Sequence, residues 1–129
     1  KSNRMNKIIH TDKAPKAIGP YSQAVLAGNT LYISGQVPIN PATGKLVEGG
    51  IKEQTEQCFK NIEAILTEAG FTFADVVKST CFLSTMENFA PMNEVYAQYY
   101  TKDCPARCAF AVAGLPMGAL VEIETIAVK

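Results

Sequence analysis

The sequence predicts an α+β fold in the order β-β-β-α-β-α-β-β, and three observations carry that prediction. Short β-branched and aromatic runs with period two stand near both ends of the chain. A long apolar periodicity of helical type fills positions 51–69, and a second, aromatic-rich helical stripe follows at 88–100. Two helices can cover only one face of the sheet that these strands would build, so the other face needs a different cover.

Residues 7–11 form a β-prone run, followed by a loop rich in Ala, Pro and Lys. Runs at 22–27 and 30–36 flank Gly28-Asn29, a two-residue hairpin signal in which glycine supplies the positive φ. In the second run Leu31, Ile33 and Gly35 alternate with Thr30, Tyr32, Ser34 and Gln36. The stretch 38–50, with Asn40-Pro41-Ala42-Thr43-Gly44, is turn-forming. In the first helix Ile51, Thr55, Cys58, Phe59, Ile62, Ile65, Leu66 and Ala69 share one face, and Gly70 ends it as a C-cap. Glu53, Glu56, Lys60 and Glu63 make its wet face.

A strand rich in β-branched residues occupies 76–83. Asn88 reads as the N-cap of a second helix reaching about Tyr100, with Pro91 tolerated in its first turn. Phe89, Met92, Tyr96 and Tyr99 form its stripe, which reads as core rather than as a cofactor box. The last strands, 107–112 and 120–128, are joined by Gly114-Leu115-Pro116-Met117-Gly118.

The 129 residues make one domain, and 47% hydrophobic with 19% charged residues is ordinary for a globular protein. Lys+Arg and Asp+Glu are both 12, so formal charge is zero and no electrostatic nucleic-acid or membrane-surface binder is indicated. No apolar run approaches the roughly 20 residues of a membrane span, and no signal-peptide pattern opens the chain. Residues 1–4 precede Met5 and are expected to be a tag or processing remnant, leaving 5–129 as the domain. Cysteines at 58, 81, 104 and 108 lack C-x-x-C spacing, and the single histidine, His10, is distant. A zinc site or a disulfide framework is therefore not expected, and a reduced cytoplasmic protein is.

Two strands carry the residues of chemical interest. Arg107 shares a strand face with Ala109, Ala111 and Ala113, opposite Cys108, Phe110 and Val112. An arginine fork beside methyl-sized neighbours is a natural seat for a small carboxylate, while a structural ion pair or a solvated arginine is the plainer alternative. In the final strand Val121, Ile123, Thr125 and Ala127 would pack under the helices. Leu120, Glu122, Glu124, Ile126 and Val128 point the other way. Two carboxylates interleaved with apolar residues fit a face partly buried by an oligomer interface, although Glu124 reads best as a rim or salt-bridge residue. Gly35 beside Ser34 permits close backbone approach, and Gly19-Pro20-Tyr21 is a turn that throws an aromatic ring outward.

Together these segments resemble a known family. Its landmarks are Ile18-Gly19-Pro20-Tyr21-Ser22-Gln23-Ala24, Ile33-Ser34-Gly35-Gln36-Val37-Pro38, Met92-Asn93-Glu94-Val95-Tyr96 and Pro105-Ala106-Arg107. The ending Val121-Glu122-Ile123-Glu124-Thr125-Ile126-Ala127-Val128 completes them, in order, from about Met5 to Lys129. The chain is similar to RidA-type members of the Rid (reactive intermediate deaminase, YjgF-like) family. The resemblance implies a chorismate-mutase-like α+β fold, one mixed sheet with two helices on one face. It also implies a homotrimer with a central barrel, whose neighbouring subunits would cover the open face.

The implied activity is hydrolysis of 2-imino acids and their enamine tautomers, such as 2-iminobutanoate and 2-iminopropanoate, to 2-oxo acids and ammonia. It would proceed in clefts between subunits, without metal or organic cofactor. Carried over by position, Arg107 would hold the substrate carboxylate, while Tyr21, Ser34, Gly35 and Asn93 would line the pocket. Glu122 would position or activate the attacking water, and the Ala109 carbonyl would bind the imino nitrogen or that water.

Three features depart from the family pattern. The loop 101–104 is shorter than in many relatives, and Gly114 stands where some have a second arginine. Cys108-Ala109 replaces a Ser-Cys pair, which places the thiol on the expected core-facing side. A non-catalytic ligand-binding or chaperone-like trimer, and a ribonuclease or translation inhibitor, are the competing readings. Neither membrane nor specific nucleic acid is expected as a partner.

Overall fold

The computed structural model describes residues 6–129, and the expected remnant at 1–4 lies outside them. The strands are β1 (Asn6–Ile9), β2 (Ala24–Ala27), β3 (Thr30–Gln36), β4 (Ile39–Asn40), β5 (Lys45–Leu46), β6 (Val76–Leu83), β7 (Ala106–Ala111) and β8 (Val121–Val128). The helices are α1 (Ile51–Ala69) and α2 (Phe89–Tyr99). Six strands form one sheet in the order β1-β2-β3-β8-β6-β7, with both helices packed on one face. Among the described residues only β6 and β7 pair in parallel, which requires the crossover that α2 supplies, so the sheet is mixed. The α+β architecture expected from the sequence is the one observed.

Strand β8 lies in the middle of the sheet, between β3 and β6. Its alternation explains the place: Val121, Ile123, Thr125 and Ala127 are sealed beneath the helices, whereas the residues between them face outward. Phe59, Ile62, Ile65 and Leu66 of α1 close that core from above. Each such fully buried large side chain contributes about 1.5–3 kcal/mol. Phe59 also centres an aromatic cluster, stacked on Tyr99 at 4.4 Å and edge-on to Tyr96 and Tyr100 at 5.8 Å.

Polar residues of α1 hold the loops beside the sheet. The Asn61 side chain, fully buried, donates to the carbonyls of Val37 and Ile39 at 3.2 and 3.0 Å. Gln54 Oε1 accepts from the Leu120 amide at 2.8 Å, fixing the entry to β8. The turn-forming stretch 38–50 thereby holds a small hairpin, β4 with β5, rather than an open loop.

Three local expectations are adjusted. Asn88 stands at the N-cap position of α2 as expected, but its side chain makes no capping bond. A 3₁₀ turn, Met86–Asn88, precedes the helix, and Thr85 caps that turn by accepting from the Glu87 amide at 3.3 Å. Gln36 does not share the outward face with Tyr32, because a β-bulge between Ile33 and Gln36 turns it into the core opposite Ile123. Cys108 and Phe110 do not face the core either. The helix layer covers the opposite side of β7, where Ala109 packs against the core, and Phe110 meets Phe82 edge-on at 5.6 Å on the open face. Cys108 is exposed there.

Candidate active site

The bulge that turns Gln36 inward opens a cleft on the uncovered face. Its volume is about 520 Å³, within the range of small-molecule sites. Tyr21, Ser34, Gly35 and Glu122, four of the residues singled out from sequence, line it together with Glu124 and an apolar rim of Ile18 and Met117. Ser34 Oγ donates to the Ser22 carbonyl at 2.6 Å, so its proton is committed and its oxygen stays free to accept. Tyr21 stands exposed on the rim, after a tight turn in which its amide bonds the Gly19 carbonyl at 2.8 Å.

Gly35 is the spatial condition for this arrangement. A Cβ at this position would run into the Glu122 carboxylate. Glu122 is half-buried, and loss of solvent, with a smaller contribution from the Glu124 charge, pushes its carboxyl above the ordinary range. A carboxylate tuned upward beside open space is suited to exchanging protons with a bound molecule or water.

Arg107 lies on the other side of the sheet. In the parallel register it pairs with buried Ser79, while Glu122 pairs with Phe82 on the open face. Arg107 Nη1 donates to Asn93 Oδ1 at 2.6 Å, and its Cζ sits 4.6 Å from the ring centre of Tyr96 and 5.4 Å from that of Phe89. Among the described residues no carboxylate pairs with it. Arg107 is thus in no ion pair, and although it is exposed its guanidinium is held against α2. Ala109, half-buried, follows two residues later on the same edge strand. The residues named from sequence thus fall into two groups, Tyr21, Ser34, Gly35 and Glu122 on one face, Asn93, Arg107 and Ala109 on the other.

Sequence reasoning missed the residues that build the cleft from behind. Gln23, 3% exposed, accepts from the Thr11 amide at 2.7 Å and donates to the carbonyls of Thr11, Ala14 and Pro15. This ties down the loop whose Pro15 and Lys16 form one wall. In the sequence Gln23 stood inside the landmark 18–24, at the entrance of an apolar strand, with nothing to show that its side chain would hold the neighbouring loop. Of the cysteines, Cys58 and Cys81 are buried, and burial pushes the thiol of Cys81 up to about 11 and that of Cys58 well above its ordinary value.

Residues 11–129 match the family described as Endoribonuclease L-PSP. A bovine protein named 2-iminobutanoate/2-iminopropanoate deaminase is 52% identical to the chain over 99% of its length and 93% of the bovine sequence. Among solved structures, RidA from the Antarctic bacterium Psychrobacter is similar with a TM-score of 0.92 at 50% identity, covering 95% of this chain and 99% of that one. TdcF of E. coli, solved with bound serine, is similar with a TM-score of 0.91 at 40% identity, covering 95% of this chain and 98% of that one.

Proposed function

This chain belongs to the Rid family, which also carries the description Endoribonuclease L-PSP, and we infer that it hydrolyses 2-iminobutanoate and 2-iminopropanoate to 2-oxo acids and ammonia. The observation that carries this reading is half-identity over nearly the whole chain to deaminases of that name. The chemistry of the two faces supports it. A protonated imine is already electrophilic, so the protein has to hold the substrate, place a water and manage protons.

In this reading Arg107 holds the substrate carboxylate and Asn93 steadies the guanidinium. Water adds to the imine carbon, and Glu122 takes the proton that water gives up. Glu122 then returns the proton to the nitrogen of the resulting carbinolamine, and the C–N bond breaks with its electron pair on nitrogen as an oxygen lone pair forms the C=O bond; the hydroxyl proton passes to the departing ammonia, which leaves as ammonium. Tyr21, Ser34 and Gly35 line the pocket, and the Ala109 carbonyl accepts from the imino nitrogen or the water. A ribonuclease is the weaker reading, since Glu122 and Glu124 in the cleft repel a phosphate chain.

Because the two groups lie on opposite faces, one chain alone does not bring Arg107 to Glu122. We take the site to be completed between copies in a homotrimer, Arg107 and Asn93 from one subunit meeting Glu122 and Tyr21 of the next. The open face favours such an assembly: Ile8, Tyr32 and Phe110 are 61%, 50% and 45% exposed on it. The four free cysteines fit the reducing cytoplasm as its location. No helix among the described residues is long and apolar enough to cross a membrane.

The test is release of 2-oxobutanoate and ammonia from 2-iminobutanoate generated in situ, compared with buffer and with Arg107→Ala. Acceleration by the wild type alone is expected. Equal rates in all three would overturn the deaminase. Light scattering at micromolar concentration is expected to give three times the chain mass, and a monomer would remove the shared site.

A further inference from the structure

We propose that Tyr96 and Phe89 are positioning residues for the carboxylate anchor, holding the Arg107 guanidinium so that its unused donors point at the ligand. This rests on the reading of Arg107 as that anchor. Phe89, Asn93 and Tyr96 stand at i, i+4 and i+7 on α2 and so form one stripe of the helix. The stripe meets the guanidinium three times. Asn93 takes a hydrogen bond from Nη1 at 2.6 Å, and both ring centres lie within the cation–π range of about 6 Å, at 4.6 and 5.4 Å.

The five donors of an arginine lie in its plane, whereas its π faces donate nothing. Rings at these distances hold the cation without consuming a donor, and Asn93 consumes one at Nη1. What is left is the paired N–H geometry that a carboxylate needs. A solvated arginine would lose side-chain freedom when it bound a ligand, and a seat of this kind removes that loss beforehand.

The seat is itself rigid. Tyr96 is 6% exposed and is packed edge-on to Phe59 at 5.8 Å and against Tyr100 at 4.8 Å. Its hydroxyl is buried, with the Ser79 side chain as its neighbour, and meets the geometry of no hydrogen bond. The seat is assigned to the ring, which Tyr96→Phe retains.

The experiment compares Phe89→Leu, Tyr96→Leu and Tyr96→Phe in the full-length protein. It measures steady-state kinetics with 2-iminobutanoate, calorimetric binding of 2-oxobutanoate, and thermal unfolding as a control for folding. The leucine variants are expected to raise KM and the 2-oxobutanoate Kd by about 2- to 30-fold, with kcat within about twofold. Tyr96→Phe, which keeps the ring, is expected to restore the wild-type KM. Partly exposed Phe89 supplies the readout if Tyr96→Leu fails to fold. Unchanged KM and Kd in folded leucine variants, or a fall in kcat alone, would overturn the seat while leaving the anchor in place. A wild type that neither turns over the imine nor binds 2-oxobutanoate would overturn the anchor, and the seat with it.

Discussion

The Arg107 guanidinium touches three side chains of α2, whereas the Glu122 carboxylate stands in space that Gly35 leaves open and has no hydrogen-bond partner among the described residues. The two halves of the candidate site are therefore prepared by different means. The arginine is oriented by contact and is sensitive to what is removed around it. The glutamate is oriented by room and tuned by burial, and is sensitive to what is added. A reaction that binds a fixed carboxylate but moves protons fits that division, since the binding group needs one pose and the proton carrier needs access.

The comparison is broken most severely at the glutamate. Glu122→Gln is expected to lower kcat by about 10²- to 10⁴-fold with little change in KM, as loss of a general base does. The same variant is expected to unfold at higher temperature than the wild type at pH 7. The raised folded-state pKa means that the folded chain keeps this proton where the unfolded chain has lost it, so stability falls as pH rises from the ordinary carboxylate value through the raised one. The stability difference should vanish below about pH 4, where both states hold the proton.

Mixing Glu122→Gln with Arg107→Ala subunits is expected to restore activity to about one quarter of wild type in randomly assembled trimers, the fraction of clefts with both halves intact. No restoration on mixing would mean that the two halves do not meet between copies.

Arg107→Lys keeps the charge but loses the planar fork, and about a 100-fold loss in kcat/KM is expected. Near-normal turnover would remove the bidentate role. Gly35→Ala adds one methyl group against Glu122, and displacing the carboxylate by about 1 Å is expected to cost up to 10²-fold in kcat. Wild-type turnover would show that Glu122 works from another position.

Glu124→Gln should give the smallest effect. Glu124 helps to hold the Glu122 carboxyl up, so its neutralisation is expected to move the acid limb of the kcat profile to lower pH, with the plateau within about twofold. An unmoved limb would mean that burial alone sets it.

The two halves also differ in how far the sequence revealed them. Helix α1 has the bounds that its long periodicity and Gly70 indicate, and β8 alternates as written, so the outward placement of Glu122 was legible. The bulge at Ser34-Gly35 was not, since only a glycine inside a strand hints at it, and it alone decides that Gln36 leaves the open face. Strand β7 misled because it lies at the sheet edge, where on the helix side Ala109 alone packs against the core and the bulky Phe110 is left to the other face. Reading bulk as core inverted that strand, and with it the side on which Cys108 lies. Buried Gln54 and Asn61 on the core face of α1 carry loop contacts that no apolar pattern can announce.

The central place of β8 sets a condition on how the molecule comes into being. Strands β3 and β6 do not pair with each other, and every other strand of the sheet precedes β8 in the chain. A nascent chain emerging from the ribosome can thus form the β1–β3 meander and the β6-α2-β7 unit, but the two do not join into one sheet until the segment between them arrives. That segment carries Glu122. The strand that completes the architecture brings with it the residue proposed to carry the proton, so on that reading an unfinished molecule is also a chemically silent one.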